Sequence, residues 1–248
     1  DITVKTPTVN FFGQLDYKLS KRWTSQTSFS QSVRKSDGLY QYIMFMQAAN
    51  DTLLNRYVAN LNATATNTNF QQNFIGDFKI GKVRNRMVAG FDVTEQRTQN
   101  NNTPYILFDQ INSLKSDARY AQMTRQSVEA KLAAGTGPTK NISDLFTYGV
   151  YVSNVTNVLD RLIVMTSLRV DKFDNKGTKT MSTGVTGGAY DQTALSPKLG
   201  LVYAVVKDQV SVFANYMNGF KNVAPATQPD GSVSNFTPQQ ANQWEAGV

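Results

Sequence analysis

The sequence predicts an all-β chain, an antiparallel transmembrane β-barrel present in part as about nine strands. Three observations carry that reading. Apolar residues alternate with polar ones at period two, the mark of a strand with one greasy and one wet face. The links between strands alternate strictly between tiny turns and very long polar stretches, the layout of barrels with short periplasmic turns and long extracellular loops. Mean hydropathy is only −0.37, and no apolar run approaches the roughly 18 residues of a membrane helix, whereas barrel strands hide their hydrophobicity at alternate positions.

The first strand sets Val9, Phe11, Leu15, Tyr17 and Leu19 on one parity and Asn10, Gln14, Asp16 and Lys18 on the other. A turn at residues 20–22 leads to a strand at 23–33 with Trp23, Phe29 and Val33 on one face. Residues 34–73 read as a loop rich in Asn, Thr and Gln, in which 40–46 forms a short strand or hairpin arm above the membrane. The third strand, 74–80, points Phe74, Phe78 and Ile80 outward and Asp77 and Lys79 inward; the fourth points Met87, Ala89, Phe91 and Val93 outward and Gly90 and Asp92 inward. The longest excursion, 96–144, holds helix formers at 116–134. The fifth strand carries Phe146, Tyr148, Val150 and Val152 outward and turns at 154–158. The sixth carries Leu162, Val164, Thr166, Leu168 and Val170 outward, with Arg161, Arg169 and Asp171 inward. After a Gly- and Thr-rich loop at 172–193, Leu199, Leu201 and Tyr203 mark the seventh strand, and Val210, Val212, Ala214 and Tyr216 the eighth. A loop with Pro225, Pro229, Gly231 and Pro238 precedes a last strand at 244–248. Strands of roughly nine to twelve residues suit a tilted membrane crossing, and Tyr17, Trp23, Tyr203, Tyr216 and Trp244 fall where an interfacial aromatic girdle belongs.

The chain has no Cys and no His. That removes disulfides, thiolate metal sites, the Ser-His-Asp triad, His-based zinc sites and His ligation of haem. The net charge of +7 is scattered over turns and strand ends rather than gathered on one face, which argues against nucleic acid as a partner. The inward carboxylates Asp77, Asp92, Asp171 and Glu245 lie on different strands. They are expected to pair with Lys79, Arg161 and Arg169 rather than perform catalysis, so no enzyme is indicated.

Five strings occur in a fixed order, each on an expected strand or strand end: FIGDFKIGKVRNRMVAGFDV from Phe74 to Val93, LIVMTSLRVDKF from Leu162, LSPKLGLVY from Leu195, FANYMNGF from Phe213 and QQANQWEAGV from Gln239. Together they resemble the barrel of TonB-dependent siderophore receptors of the ferrichrome-receptor type, with Ser167 standing where the family favours Gly. The resemblance implies a barrel of about 22 strands around a plug. The chain starts at Asp1 without Met or signal peptide and is expected to be the central part of such a barrel, residues 1–248, without the N-terminal plug domain, the TonB box or the C-terminal barrel strands.

The function implied is uptake of a ferric siderophore, hydroxamate or ferrichrome-like, across the bacterial outer membrane, driven by the TonB-ExbB-ExbD complex acting through the plug. Lipopolysaccharide and outer-membrane lipid are implied as surroundings, and no cofactor is implied, iron arriving only inside the bound siderophore. Such a complex is recognised by tyrosine hydroxyls, aromatic faces and cations near anionic groups. The candidate ligand-binding residues are Tyr40, Tyr42, Arg97, Tyr105, Phe108, Arg119, Tyr120 and Tyr190. Competing readings are the same architecture with another cargo (cobalamin, haem, a nickel complex or an oligosaccharide), a passive porin or adhesin-like barrel, and a soluble β-rich binding module or polysaccharide-degrading enzyme.

Overall fold

The computed structural model describes residues 2–45 and 52–248; Met46, the last residue of the expected 40–46 arm, lies outside them. The strands are β1 (Val4–Lys5), β2 (Thr8–Lys18), β3 (Trp23–Phe45), β4 (Leu53–Ile80), β5 (Val83–Asn102), β6 (Ile106–Asn112), β7 (Thr139–Leu159), β8 (Leu162–Thr180), β9 (Thr186–Gly187), β10 (Tyr190–Val206) and β11 (Val210–Lys221). After a small separate hairpin of β12 (Ala226–Thr227) and β13 (Val233–Ser234), β14 (Gln239–Gly247) closes the series. All but the small hairpin belong to one antiparallel sheet, in which the long strands are neighbours in chain order, β2-β3-β4-β5-β7-β8-β10-β11-β14. The sheet has two edges, β2 and β14.

The short links all lie at one end. Gly81 and Lys82 join β4 to β5, with Gly81 at φ +61°, the conformation a two-residue hairpin asks of glycine. Asp160 and Arg161 join β7 to β8, and Asp208 takes a positive φ of 61° in the turn between β10 and β11.

Register assigns every side chain to a face, because cross-strand partners share one. Phe29 opposes Phe70, Phe74 opposes Ala89, Phe91 opposes Val150, Val150 opposes Val170, Leu168 opposes Pro197 and Leu201 opposes Ala214. This apolar face is bare: Phe11 is 60% exposed, Val150 64% and Trp244 77%. Such a surface over nine strands demands an apolar surrounding. For the residues that lie within the strands, the inward and outward parities expected from the sequence are those the register shows.

Strand lengths differ from expectation, and for a physical reason. Residues 34–45 and 53–73 are not a loop: β3 and β4 continue as one ladder from Trp23 paired with Gly76 to Phe45 paired with Leu54. Likewise β5 runs to Asn102, and β8 and β10 take up most of 172–193. Beyond the apolar band both faces are wet, so hydrophobic alternation vanishes while the backbone ladder goes on. Polar cross-strand pairs replace it, such as Gln31 Nε2 donating to Thr68 (3.2 Å) and Asn69 Nδ2 to Thr94 (2.8 Å). The polar run 154–157 is strand rather than turn. Asn154 donates to Asn85 at 2.9 Å and Thr156 to the same oxygen at 3.0 Å. Arg161 therefore sits in the turn, outside the sixth strand.

At the long-link end, one helix forms inside the expected 116–134 stretch. A 3-10 turn (Ala118–Gln122) is capped by Asp117, and α1 (Arg125–Ala133) by Thr124 in a reciprocal capping box with Ser127. The α1 helix packs Val128 against Leu39 and Val58, with Ile106, Phe108, Met123 and Leu132 around them. Gly38 (φ +133°) admits β1 beside β3, since a Cβ there would stand 2.3 Å from the Thr3 carbonyl. Val58 and Val128 are fully buried, and with Ile111 they are the largest such side chains among the described residues.

Val128→Asp in the intact protein is expected to release α1, since an unpaired carboxylate replaces a fully buried methyl pair. Hydrogen exchange would show lost protection across 125–133, while the heat-modifiable gel mobility of the barrel stays unchanged.

Candidate functional site

Two constructions stand out on the face opposite the apolar band. The first is a belt of polar side chains across six strands. Arg169 on β8 donates bidentately to Asp92 on β5 (2.7 and 3.0 Å) and to Asp171 on its own strand (2.6 and 2.8 Å), and its guanidinium lies 5.1 Å from the Tyr151 ring centre. The Tyr151 hydroxyl donates to Asn73 and accepts from Gln71 at 2.7 Å. Asn73 donates to Gln26 at 3.1 Å, and Gln26 donates to Asp16 at 3.0 Å.

Two glycines make room for these crossings. A Cβ at Gly149 would meet Arg169 Nη2 at 2.1 Å, and one at Gly90 would meet the Gln72 carbonyl at 2.4 Å and the Tyr151 hydroxyl at 2.9 Å. Arg169 thus lies diagonally over Gly149, and Tyr151 lies over Gly90 directly opposite it on the next strand. Of the expected cations Arg169 is a partner, shared by Asp92 and Asp171, whereas Asp77 pairs with Arg84 (2.9 Å) and Glu245 accepts from Gln243 (2.7 Å). Among the described residues neither Lys79 nor Arg161 forms an ion pair with the inward carboxylates; at Asp77 that place is taken by Arg84, which lies directly opposite Lys79.

The second construction is a ledge built by the extended β3–β4 hairpin and β6. On the side continuous with the polar face, Tyr42 stacks on Tyr57 (ring centres 4.9 Å apart, planes at 9°). Tyr105 stands edge-on to Tyr42 at 5.2 Å and to Tyr40 at 6.1 Å. Three of the expected residues, Tyr40, Tyr42 and Tyr105, are therefore brought together, with Tyr40 and Tyr105 at 40% and 51% exposure. Tyr57 completes the group; its place opposite Tyr42 depends on a ladder that the polar composition of 34–73 concealed.

The other side of the same strands is a clamp. Buried Arg56, the chain neighbour of Tyr57, grips Asp109 through two hydrogen bonds (2.6 and 2.5 Å) and donates to the Arg119 carbonyl at 3.0 Å. Its guanidinium lies 5.6 Å from the Phe108 ring centre and 5.8 Å from that of Tyr120. Phe108, Arg119 and Tyr120 are thus gathered, but around Arg56 rather than with the tyrosines. Arg119 donates to Asp117, and that side-chain bond, with the Arg119 backbone N–H, holds the Asp117 carboxyl well below the usual carboxylate range. The clamp fixes β6 against β4 and so sets Tyr105 before its partners.

The remaining two candidates stand apart. Tyr190 opens β10 on the polar face, 5.5 Å from the Phe173 ring, beside Gln192. The Gln192 amide donates to the carbonyls of Val223 (2.8 Å) and Phe236 (2.7 Å) and so pins the 222–238 link over that strand end. Arg97 projects from the opposite face, paired with Asp144 at 2.6 Å. Among the described residues there is no group of carboxylates able to hold a metal ion.

The comparisons with known proteins agree with the fold. The family model described as TonB dependent receptor-like, beta-barrel matches residues 2–248. No curated protein sequence matches the chain significantly. Similar solved structures include BauA, the ferric preacinetobactin receptor of Acinetobacter baumannii, with TM-score 0.72 at 17% identity over 98% of this chain and 35% of that one. The ferric-catecholate import receptor Fiu of E. coli K12, in its closed form, gives 0.71 at 14% over 98% and 38%. The ferripyoverdine receptor of the Pseudomonas aeruginosa outer membrane gives 0.73 at 15% over 97% and 30%. The chain thus spans about a third of the length of these receptors.

In the intact protein, Gly149→Ala is expected to lower stability by roughly 1–3 kcal/mol by displacing the Arg169 guanidinium. Adding Arg169→Ala to it should cost far less than the two changes summed, as for coupled neighbours. Thermal loss of gel heat-modifiability across the double-mutant cycle would report this; strict additivity would refute the diagonal contact.

Proposed function

Since the chain belongs to the TonB-dependent receptor β-barrel family, we propose that it forms part of an outer-membrane receptor that takes up a ferric siderophore. The carrying observation is the coincidence of two things. The family match runs across the whole sheet, and the long-link end of that sheet presents four clustered tyrosines over a wide polar face. Aromatic hydroxylated surfaces suit a compact, oxygen-rich iron complex, which needs hydrogen-bond donors and flat apolar contact rather than metal ligands.

In this reading the apolar face meets lipid, with lipopolysaccharide around the charged outer rim above it. Further strands join the β2 and β14 edges, because open edges are not tolerated in hydrocarbon. A plug fills the lumen against the Asp92–Arg169–Asp171 belt, and the TonB-ExbB-ExbD complex supplies the energy through that plug. The receptor performs no hydrolysis. Tyr40, Tyr42, Tyr57 and Tyr105 receive the ligand, Tyr190 flanks the same face, and Phe108, Arg119 and Tyr120 act through the clamp behind it. A ferric hydroxamate of the ferrichrome kind is the cargo that the sequence strings favour.

The test is ligand-dependent quenching of tryptophan fluorescence in the intact receptor, against ferric siderophores with cobalamin and haem as controls. Submicromolar quenching by a ferric siderophore is expected. Replacing Tyr40, Tyr42 and Tyr105 together by Ala should weaken binding roughly 10- to 100-fold, as lost aromatic anchors do. A response to cobalamin or haem alone would overturn the iron assignment, and unchanged affinity in the triple variant would remove the tyrosines from the site.

A further inference from the structure

Charges on the upper part of the sheet are sorted by face. On the long-link side of the Asp92–Arg169–Asp171 row, the outward parity carries Glu95, Arg97, Asp144, Lys172, Asp174 and Asp191. The inward parity of the same strands carries none. There Gln96 lies between Asn67 and Leu145, and Thr98 between Ala65 and Ser143. The pattern continues to the strand tips, and among the described residues of β4, β5, β6, β7, β8 and β10 the inward side above that row consists of amides, hydroxyls, rings and aliphatic groups. Charge returns only at the flanks, as Arg34 on β3 and Lys221 on β11.

The sorting is not a shortage of charge. Arg97 sits between Gln96 and Thr98, and Lys172 and Asp174 bracket Phe173. Each ionised group is one residue away from the inner wall and faces out instead. We infer that the wall selects by net charge: the receptor takes a ferric chelate that is neutral overall and discriminates against polyanionic ones. The inference rests on the receptor function proposed above and names the class of its cargo.

The chemistry is simple. Three singly charged hydroxamates balance Fe3+, whereas three doubly charged catecholates leave a threefold negative complex. A polyanion entering this part of the vestibule sheds water and meets amide and hydroxyl dipoles but no cation, so its desolvation goes uncompensated. A neutral complex with a carbonyl-rich shell loses little hydration and gains hydrogen bonds from the same amides and tyrosines.

The experiment measures Kd in the intact receptor for a neutral ferric trihydroxamate and for a ferric tricatecholate, at low and high salt. The neutral chelate is expected to bind at least about tenfold more tightly, with a Kd insensitive to salt, since screening acts on charges. Gln96→Lys, which sets a cation into the wall, should improve tricatecholate binding several-fold and leave the trihydroxamate unchanged. Equal or tighter binding of the tricatecholate by the unaltered receptor would overturn the charge selection and leave the receptor function intact. Failure of every iron chelate to bind would overturn the receptor function and this inference with it.

Discussion

Everything in this molecule hangs on an unbroken antiparallel register. From β2 to β14 each long strand pairs with its chain neighbours, so backbone donors and acceptors are consumed by the ladder and only the two edges remain open. That is the condition for a sheet to lie in hydrocarbon. The same register divides the side chains into two populations with no freedom to exchange. A slip by one residue would turn Phe91 and Val150 inward and Asp92 and Tyr151 into lipid. Period-two sorting and backbone satisfaction are therefore one constraint seen from two sides.

The inner face shows how a wide polar surface is kept from being loose. Strand spacing leaves gaps between side chains that a long residue can bridge only if its neighbour is small. Gly149 under Arg169 and Gly90 under Tyr151 supply those gaps. The result is a chain of contacts from Asp16 to Asp171 that ties distant strands laterally, beyond what each pairwise ladder provides. Charge-assisted bonds such as Arg169 to Asp92 are the strong members of that chain. The neutral amide–hydroxyl links extend it toward β2.

Much of this was legible in the residues, and the illegible part has one cause. Where one face is greasy, as at Phe74 to Val93 or Leu162 to Val170, the alternation gave the strands, their parities and their order. Where both faces are wet, as at 34–73, nothing alternates between apolar and polar, so a continuing ladder reads as loop. The candidate site suffers from the same blindness. Tyr40, Tyr42 and Tyr105 were recognisable as aromatics, but their meeting with Tyr57 needed the hidden hairpin register. Arg56 was invisible as a clamp because its partners, Asp109, Phe108 and Tyr120, come from a segment more than fifty residues on. Diagonal contacts such as Arg169 over Gly149 leave no periodic trace at all.

Arg56 and Tyr57 are chain neighbours facing opposite ways, one into the clamp and the other onto the open ledge. Their adjacency separates two kinds of selection down to single residues. Drift at Tyr57 and its facing partners can reshape the open aromatic surface, while Arg56 and its contacts hold the backbone where it was. A lineage can therefore remodel that surface by changing every second residue of a strand, with the intervening ones held still by their packing. Divergence along these strands should then beat with the same period as the pleat.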